Sequence, residues 1–474
     1  MKSLYFIGIA GTAMGNLAIA LAQRGFKVFG SDTGVYPPMS SMLELNGISF
    51  ASNYDANHIK DYMPDLVIIG NAISRGNPEV EYILNQKIPF ISMSEMIHNE
   101  IIGNNDAIVI TGTHGKTTTS SLTATIFEYA GKKPGFVIGA KPGNFEYGCR
   151  PIPEQMFLSG TGICIIEGDE YDTAFWDKRS KFFHYPPQIA VINAIEYDHS
   201  DIFASIDEIL KTFQLFLRLI PEKGLVLLNA DDQLALSMKD HVYSRIETFS
   251  TYGNGDWNAH IVNQDKGGTT FTYHHHDIMI DTVSIPMIGV HNVRNALASV
   301  ACAYHSGISK QDIKHGLKHF IPPKRRLEYL GEWKKRIVID DFAHHPTAIK
   351  ETVHALRSVY PDKNIHAVFE PRSNTTTRNI FQKELASCFL GVNSIFLGPI
   401  NRPERFAPNE RLDVDALQSV YEKQGIPVFS VKEDIPTWGT LIIDDIEEHT
   451  KPGDIIVLMS NGNVGTLRTL LLSI

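Results

Sequence analysis

The stretch Ile108-Val109-Ile110-Thr111-Gly112-Thr113-His114-Gly115-Lys116-Thr117-Thr118-Thr119 constrains the fold most, because an apolar strand runs into a glycine loop and then a Lys-Thr helix start. Such a loop turns successive backbone N–H groups and an open helix end toward one point, where phosphate oxygens are held. Lys116 adds a mobile positive charge, and the Thr117 hydroxyl is of the kind that ligates Mg²⁺. The strict GxxxxGK[ST] pattern is not met, since Ile110 stands where its first glycine belongs. A glycine turn with an incidental lysine is the competing reading, and the strand and helix on either side speak against it. Strand, loop and helix in that order predict a parallel sheet covered by helices, an α/β fold.

The same alternation runs along the chain. Strand-sized apolar runs at residues 4–9, 27–30, 66–70 and 89–92 alternate with stretches of helical length, and a polar, turn-rich run at 101–106 closes this first segment. A second cycle uses strands at 107–111, 163–167 and 189–193. It changes character at 257–286, where β-branched and aromatic residues predict an antiparallel patch, followed by a helix over 289–306. After the stiff paired prolines of 321–326, strands at 336–339, 365–369, 394–397, 428–430 and 455–459 alternate with helices again. Single cores stop growing near ~250–300 residues, so 474 residues predict about three domains, placed at 1–102, 103–322 and 323–474.

The 43 Lys and Arg against 53 Asp and Glu leave a net charge of −10, which argues against nucleic acid as a partner and leaves room for a locally held anionic ligand. Cys149, Cys164, Cys302 and Cys388 form no CxxC pair, so a reduced, cytoplasmic protein is expected. Apolar runs stay far short of the roughly 20 residues that span a bilayer, and no membrane partner is expected. Residues 1–8 read as a first strand rather than a signal peptide, because glycines replace the apolar region that such a peptide continues.

Three further segments carry chemistry. The apolar run 163–166 ends in Glu167-Gly168-Asp169-Glu170-Tyr171-Asp172; beside a phosphate loop a strand-end acid holds Mg²⁺, and Glu167 is the candidate, with a solvated acidic turn as the alternative. The strand at 189–193 leads to His199, placed for a second metal or for a structural role. Gly8-Ile9-Ala10-Gly11-Thr12-Ala13-Met14-Gly15 follows a strand and opens a helix, with Ser31-Asp32 ending the next strand where a ribose-reading acid belongs. Its spacing is not GxGxxG, so a nucleotide site and a bare turn both stay open. His274-His275-His276 alternate faces on a strand and cannot converge on one ion, which favours an exposed hairpin.

Taken together these segments resemble the Mur ligase family, ATP-dependent enzymes of peptidoglycan assembly, over essentially the whole chain. Residues 111–119 are similar to the family's ATP loop, which itself lacks the first glycine, and contribute Gly112, Thr113, Gly115, Lys116, Thr117 and Thr118. Glu167 and His199 correspond to its two Mg²⁺ ligands beside Thr117. Asn292 and Asn295 of residues 289–296 correspond to its GxHNxxNA asparagines, Arg326 to an arginine directed at ATP phosphates, and Asp341 and His344 to nucleotide contacts from the third domain. The resemblance implies three domains: a Rossmann-like N-terminal domain, a central P-loop ATPase-like domain carrying the β patch, and a Rossmann-like C-terminal domain. It also implies ATP and Mg²⁺ as cofactors, with Lys116, Glu167, His199 and Arg326 as catalytic residues.

The loop with Met14 and the Asp340-Asp341-Phe342-Ala343-His344-His345-Pro346 run resemble two branches of the family. Residues 30–40, 70–79, 170–182, 370–375 and 459–462 are similar to the recycling branch, which joins the tripeptide L-Ala-γ-D-Glu-meso-diaminopimelate to UDP-N-acetylmuramate; the other branch adds L-alanine. UDP-sugar contacts are then expected from Gly8, Ala10, Gly11, Thr12, Met14, Gly15, Ser31, Asp32 and Asn71. Arg372 is expected to grip a peptide carboxylate or to sit in a surface ion pair. Gly168 and Asn463 depart from the branch pattern, which has alanine and a second glycine there. A P-loop ATPase coupled to motion and a UDP-sugar sensor are the rival classes, and monomer or dimer is left open.

Overall fold

The structure, a computed structural model, describes residues 2–433 and 435–472, so the expected termini Met1, Ser473 and Ile474 lie outside the described residues. Three sheets follow one another along the chain. The first has five parallel strands in spatial order Ser49–Ala51, Lys27–Ser31, Ser3–Ile7, Leu66–Ile69, Phe90–Ser92. Its central strand Ser3–Ile7 is buried from Leu4 onward because helices cover both faces, which is why it is apolar without alternation. The helix Thr12–Gln23 starts at Gly11 with no side-chain cap, leaving its first N–H groups open at the sheet's C-terminal end.

The middle sheet has ten strands. Asp106–Thr111 lies between Ile163–Glu167 and Ile189–Ile192, parallel to both, so the phosphate loop, the Glu167 strand end and the His199 connection emerge side by side. Beyond Leu225–Asn229 and Arg245–Ser250 the sheet turns antiparallel through Trp257–Asp265, Gly268–His275 and Ile278–Ile285, the patch that the 257–286 run predicts. Helix Val290–His305 packs on helix Lys116–Tyr129, where Ser299 Oγ donates to Thr119 O at 3.1 Å and small residues let the backbones approach.

The third sheet orders its strands Glu328–Trp333, Arg336–Asp341, Ile455–Met459, Ile365–Phe369, Ser394–Leu397, Val428–Ser430, with only the first antiparallel. Asn16 Oδ1, accepting from Gly148 N at 2.8 Å, joins the first and middle units, as does Phe90 edge-on to Trp176. All four cysteines are buried and unpaired, and no described helix is long and apolar enough to cross a membrane.

Candidate active site

A cavity of about 1150 Å³ opens between the middle and third sheets. Its lining includes Thr113, Gly115, Lys116, Thr117, Thr118, Glu167, His199, Asn292, Asn295, Arg326, Asp341 and His344, which brings most of the expected nucleotide and metal residues to one space. Gly112, expected among the nucleotide residues, is not in the lining and packs instead against the backbone of Asn193 and Ala194. Both loop glycines have positive φ, and a Cβ on Gly112 would meet Ala194 O at 2.7 Å, while one on Gly115 would meet Asn295 Oδ1 at 2.4 Å. Helix Lys116–Tyr129 begins at Gly115 without a side-chain cap, so its N-terminal amides face the cavity unsatisfied.

Lys116 Nζ donates to Gly112 O at 2.6 Å and to both carboxylate oxygens of buried Glu170 at 2.8 and 2.9 Å. Burial alone would lower the ammonium's pKa, but Glu170 and Asp169 hold it above its ordinary value. His199 Nε2 lies 3.0 Å from the same Glu170. Glu170 is thus the hub of this corner, a residue the sequence reading passes over because it sits among four carboxylates in six positions.

Glu167 accepts from Thr117 Oγ1 at 3.0 Å and from Gly139 N at 2.9 Å. Burial raises its pKa, and Gly139 N–H and Lys116 offset this only in part, so a cation beside it would complete its environment. A hydroxyl and a carboxylate facing a cavity are the hard oxygen donors that suit Mg²⁺. Asn193 Oδ1 and Asn461 Oδ1 are buried, line the same cavity and lack a hydrogen-bond partner. The donor set and these orphaned acceptors fit a hydrated Mg²⁺ and a nucleotide.

A second network spans the two domains. Glu196 accepts from His114 Nε2 at 2.7 Å and from Thr347 Oγ1 at 2.8 Å, with His345 Nδ1 at 3.2 Å. Its carboxyl is pulled down to about 2: burial works the other way and is outweighed by His114, His345 and Thr347. Asp198, which accepts from Thr375 Oγ1 at 2.8 Å, makes a parallel link. Asp341 is occupied by Leu327 N, Ala343 N and Thr352 Oγ1, so it shapes the third domain's loop, whereas Arg326 lies over Phe342 and faces the cavity. His114 and His345 each stand in a motif and Glu196 follows the strand that leads to His199, but only their folded positions show that they meet.

In the first domain Asp32 Oδ2 accepts from Ala10 N at 3.0 Å and Oδ1 from Gly34 N, tying the glycine loop to the next strand. Gly11 and Thr12 are exposed, Gly8, Ala10 and Asn71 half-buried, and Met14 and Gly15 packed inside the helix start. The Ser31 hydroxyl is fully buried and donates to Glu79, so it is turned away from the loop. Arg372 pairs with Glu370 at 3.4 Å and is not among the residues lining the cavity.

Three family models match in chain order: "Mur ligase family, catalytic domain" over residues 3–102, "Mur ligase middle domain" over 110–303 and "Mur ligase, glutamate ligase domain" over 325–462. The chain belongs to the Mur ligase family. As a Mur ligase it is 37% identical over 468 residues to the UDP-N-acetylmuramate–L-alanyl-γ-D-glutamyl-meso-2,6-diaminoheptandioate ligase of Haemophilus influenzae, covering 98% of this chain and 97% of that one. It is 31% identical over 473 residues to the UDP-N-acetylmuramate–L-alanine ligase of Clostridium acetobutylicum, covering 100% and 98%. The crystal structure of a murein peptide ligase from Psychrobacter arcticus matches with TM-score 0.72 and 32% identity over 100% of this chain and 99% of that one. The three-domain Mur ligase architecture expected from the sequence is the one observed.

Proposed function

We propose that this Mur ligase joins the α-amine of L-Ala-γ-D-Glu-meso-diaminopimelate to the lactyl carboxylate of UDP-N-acetylmuramate, using ATP. The observation that carries this is the full-length likeness to a ligase named for that pair of substrates, at 37% identity against 31% for the L-alanine ligase. A carboxylate is a poor electrophile, so the lactyl oxygen first attacks the γ-phosphate, releasing ADP and leaving an acyl phosphate. The amine then attacks the carbonyl carbon, and phosphate departs as the amide forms.

Residues of this chain divide the task. The open helix end after Gly115 and the Lys116 ammonium bind phosphate oxygens, and Lys116 must leave Glu170 to do so. Arg326 stabilises charge on the transferred group. Thr117 and Glu167 would hold Mg²⁺ and His199 a second ion, and a bound Mg²⁺ screens the phosphate charge that repels an anionic nucleophile. Asn292, Asn295, Asp341 and His344 set the nucleotide between two domains, and Glu196 and Asp198 hold those domains together and keep water out.

Residues 1–102 bind the UDP-sugar through Gly8, Ala10, Gly11, Thr12, Asp32 and Asn71, with Met14, Gly15 and Ser31 shaping the loop from beneath. Residues 103–322 bind ATP, and residues 323–474 bind the peptide, Arg372 meeting its carboxylate after exchanging partners with Glu370.

Purified protein with ATP, Mg²⁺ and UDP-N-acetylmuramate is challenged in parallel with tripeptide, tetrapeptide and L-alanine, and ADP is followed. ADP release dependent on both tripeptide and sugar nucleotide, and lost in Lys116→Ala, is expected. Equal turnover with L-alanine overturns the peptide assignment, turnover without any amine points to a plain ATPase, and full activity of Lys116→Ala removes the phosphate-loop role.

A further inference from the structure

Away from the nucleotide cavity, the antiparallel patch brings together three side chains that the ligase chemistry does not use. Glu247 comes from strand Arg245–Ser250, His275 from the end of strand Gly268–His275 and His305 from the last turn of helix Val290–His305. Their ligand atoms all lie within 4.8 Å of one another. His305 Nε2 is 2.7 Å and His275 Nε2 3.3 Å from the same oxygen, Glu247 Oε2. The side chains are 12%, 13% and 5% exposed for His305, His275 and Glu247.

We propose that Glu247, His275 and His305 form a binding site for a borderline transition-metal cation, Zn²⁺ by preference, that clips the β patch to helix Val290–His305. Two imidazole nitrogens and one carboxylate are the donor set of tetrahedral Zn²⁺ with an open fourth position, and they suit it better than Mg²⁺. Ligand atoms ~2.0–2.1 Å from a tetrahedral ion stand ~3.3–3.4 Å apart, so His275 is already at the required spacing from Glu247 and His305 must withdraw by ~0.6–0.7 Å.

Two details go beyond proximity. His275 Nε2 is buried and has no hydrogen-bond partner, yet it points at a carboxylate oxygen. Its ring is also fixed, stacked on Trp257 with centroids 4.1 Å apart and planes at 14°. Trp257 Nε1 in turn donates to Glu247 Oε2 at 2.6 Å, which orients the carboxylate as an outer partner does at metal sites, and the ion would take the place of the 2.7 Å contact that His305 Nε2 makes with the same oxygen. Arg245 pairs with Oε1, but its side chain is 57% exposed, so its charge is screened by solvent.

The helix so clipped carries Asn292 and Asn295 at its other end, in the nucleotide cavity. An ion there, its fourth position left to water, would steady the element that positions those asparagines.

The test titrates Co²⁺ into the metal-free full chain, reads the visible ligand-field bands, and repeats the titration with His275→Asn, His305→Asn and Glu247→Gln. Wild type should develop tetrahedral-type bands that Zn²⁺ displaces, and each variant should bind Co²⁺ at least ~100-fold more weakly. Glu247→Gln keeps an oxygen for Trp257 and serves where a histidine variant does not fold. Because His114, Glu196 and His345 form a second candidate group in the cavity, Glu196→Gln is run beside them and should leave these bands in place. Absent bands, or bands unchanged in the folded patch variants, overturn the proposal.

Discussion

Replacing Glu196 by glutamine removes a charge that His114 from the phosphate loop and His345 and Thr347 from the third domain all address. The carboxyl lies at about 2 here against 4.5 ordinarily, a gap of 2.5 that corresponds to about 3 kcal/mol at 1.36 kcal/mol per unit. The side chain is 30% exposed, and solvent screening brings the useful part to ~1–2 kcal/mol. The sign follows from the direction: a depressed carboxyl favours this closed arrangement above its ordinary pKa, and the advantage is lost as pH falls through about 2, so near neutrality it is fully present. Glutamine keeps the shape and one acceptor but not the charge. If closure brings Arg326, Asp341 and His344 onto the nucleotide, kcat/KM for ATP should fall by roughly 5- to 30-fold. Thermal stability should hardly change, because Glu196 belongs to none of the buried apolar clusters. Initial rates of ADP release over a range of ATP, together with small-angle scattering in the presence of a nonhydrolysable ATP analogue, read the two expectations separately. Wild-type kcat/KM with wild-type compaction in the variant would refute the idea that Glu196 couples the domains.

Two further outcomes follow from the same site. Gly115→Ala places a Cβ 2.4 Å from Asn295 Oδ1 at φ +80°, so loop and asparagine must separate; steady-state assays should show ADP formation down by at least ~10-fold, with far-ultraviolet circular dichroism unchanged. His345 is held neutral, its pKa pressed down to about 4 chiefly by burial and then by the charge of His114. That contribution to closure is fully present above about 6.5 and is lost as pH falls from there toward 4, so wild-type kcat/KM should decline on the acid side and His345→Asn should flatten that limb.

Local order was legible where one residue's chemistry dictates one conformation. Gly112 and Gly115 stand where φ is positive, and the carboxylate-ended run Ile163–Glu167 emerges beside them because both strands are parallel neighbours. Pairing choices were not legible. Glu167 and Glu170 are chemically alike and three residues apart, yet one meets Thr117 and the other Lys116 and His199, a difference made by the turn after the strand. Ser31 sits next to Asp32 at a strand end, but alternation sends its side chain into the core toward Glu79 while Asp32 faces the glycine loop. His274 and His275 are successive residues of one strand, but His276 lies in the turn beyond it with positive φ and its ring stands 4.2 Å from that of His275, so the expected alternation of all three stops at the strand end. His275 instead meets Glu247 and His305 from other elements, a juxtaposition set by the tertiary fold.

The acidic balance of the chain takes on a specific meaning in the cavity. Its lining carries eight carboxylates, from Glu167 and Asp169 to Asp341 and Glu351, against only Lys116, Arg294, Arg326 and Lys350. Several are already neutralised, Asp169 by Lys181 at 2.6 Å and Asp231 by Arg294 at 3.0 Å, while Glu167 has only a hydroxyl and an amide. A polyanionic nucleotide entering alone would face this surplus across a space that closure makes drier and electrostatically less forgiving. Divalent cations arriving with it at Glu167 would reverse the local sign, so the negative charge that argues against nucleic acid as a partner would make metal a condition of nucleotide binding in the reading proposed above. The two features that looked opposed in the sequence, an acidic chain and a phosphate loop, are reconciled by where the carboxylates stand.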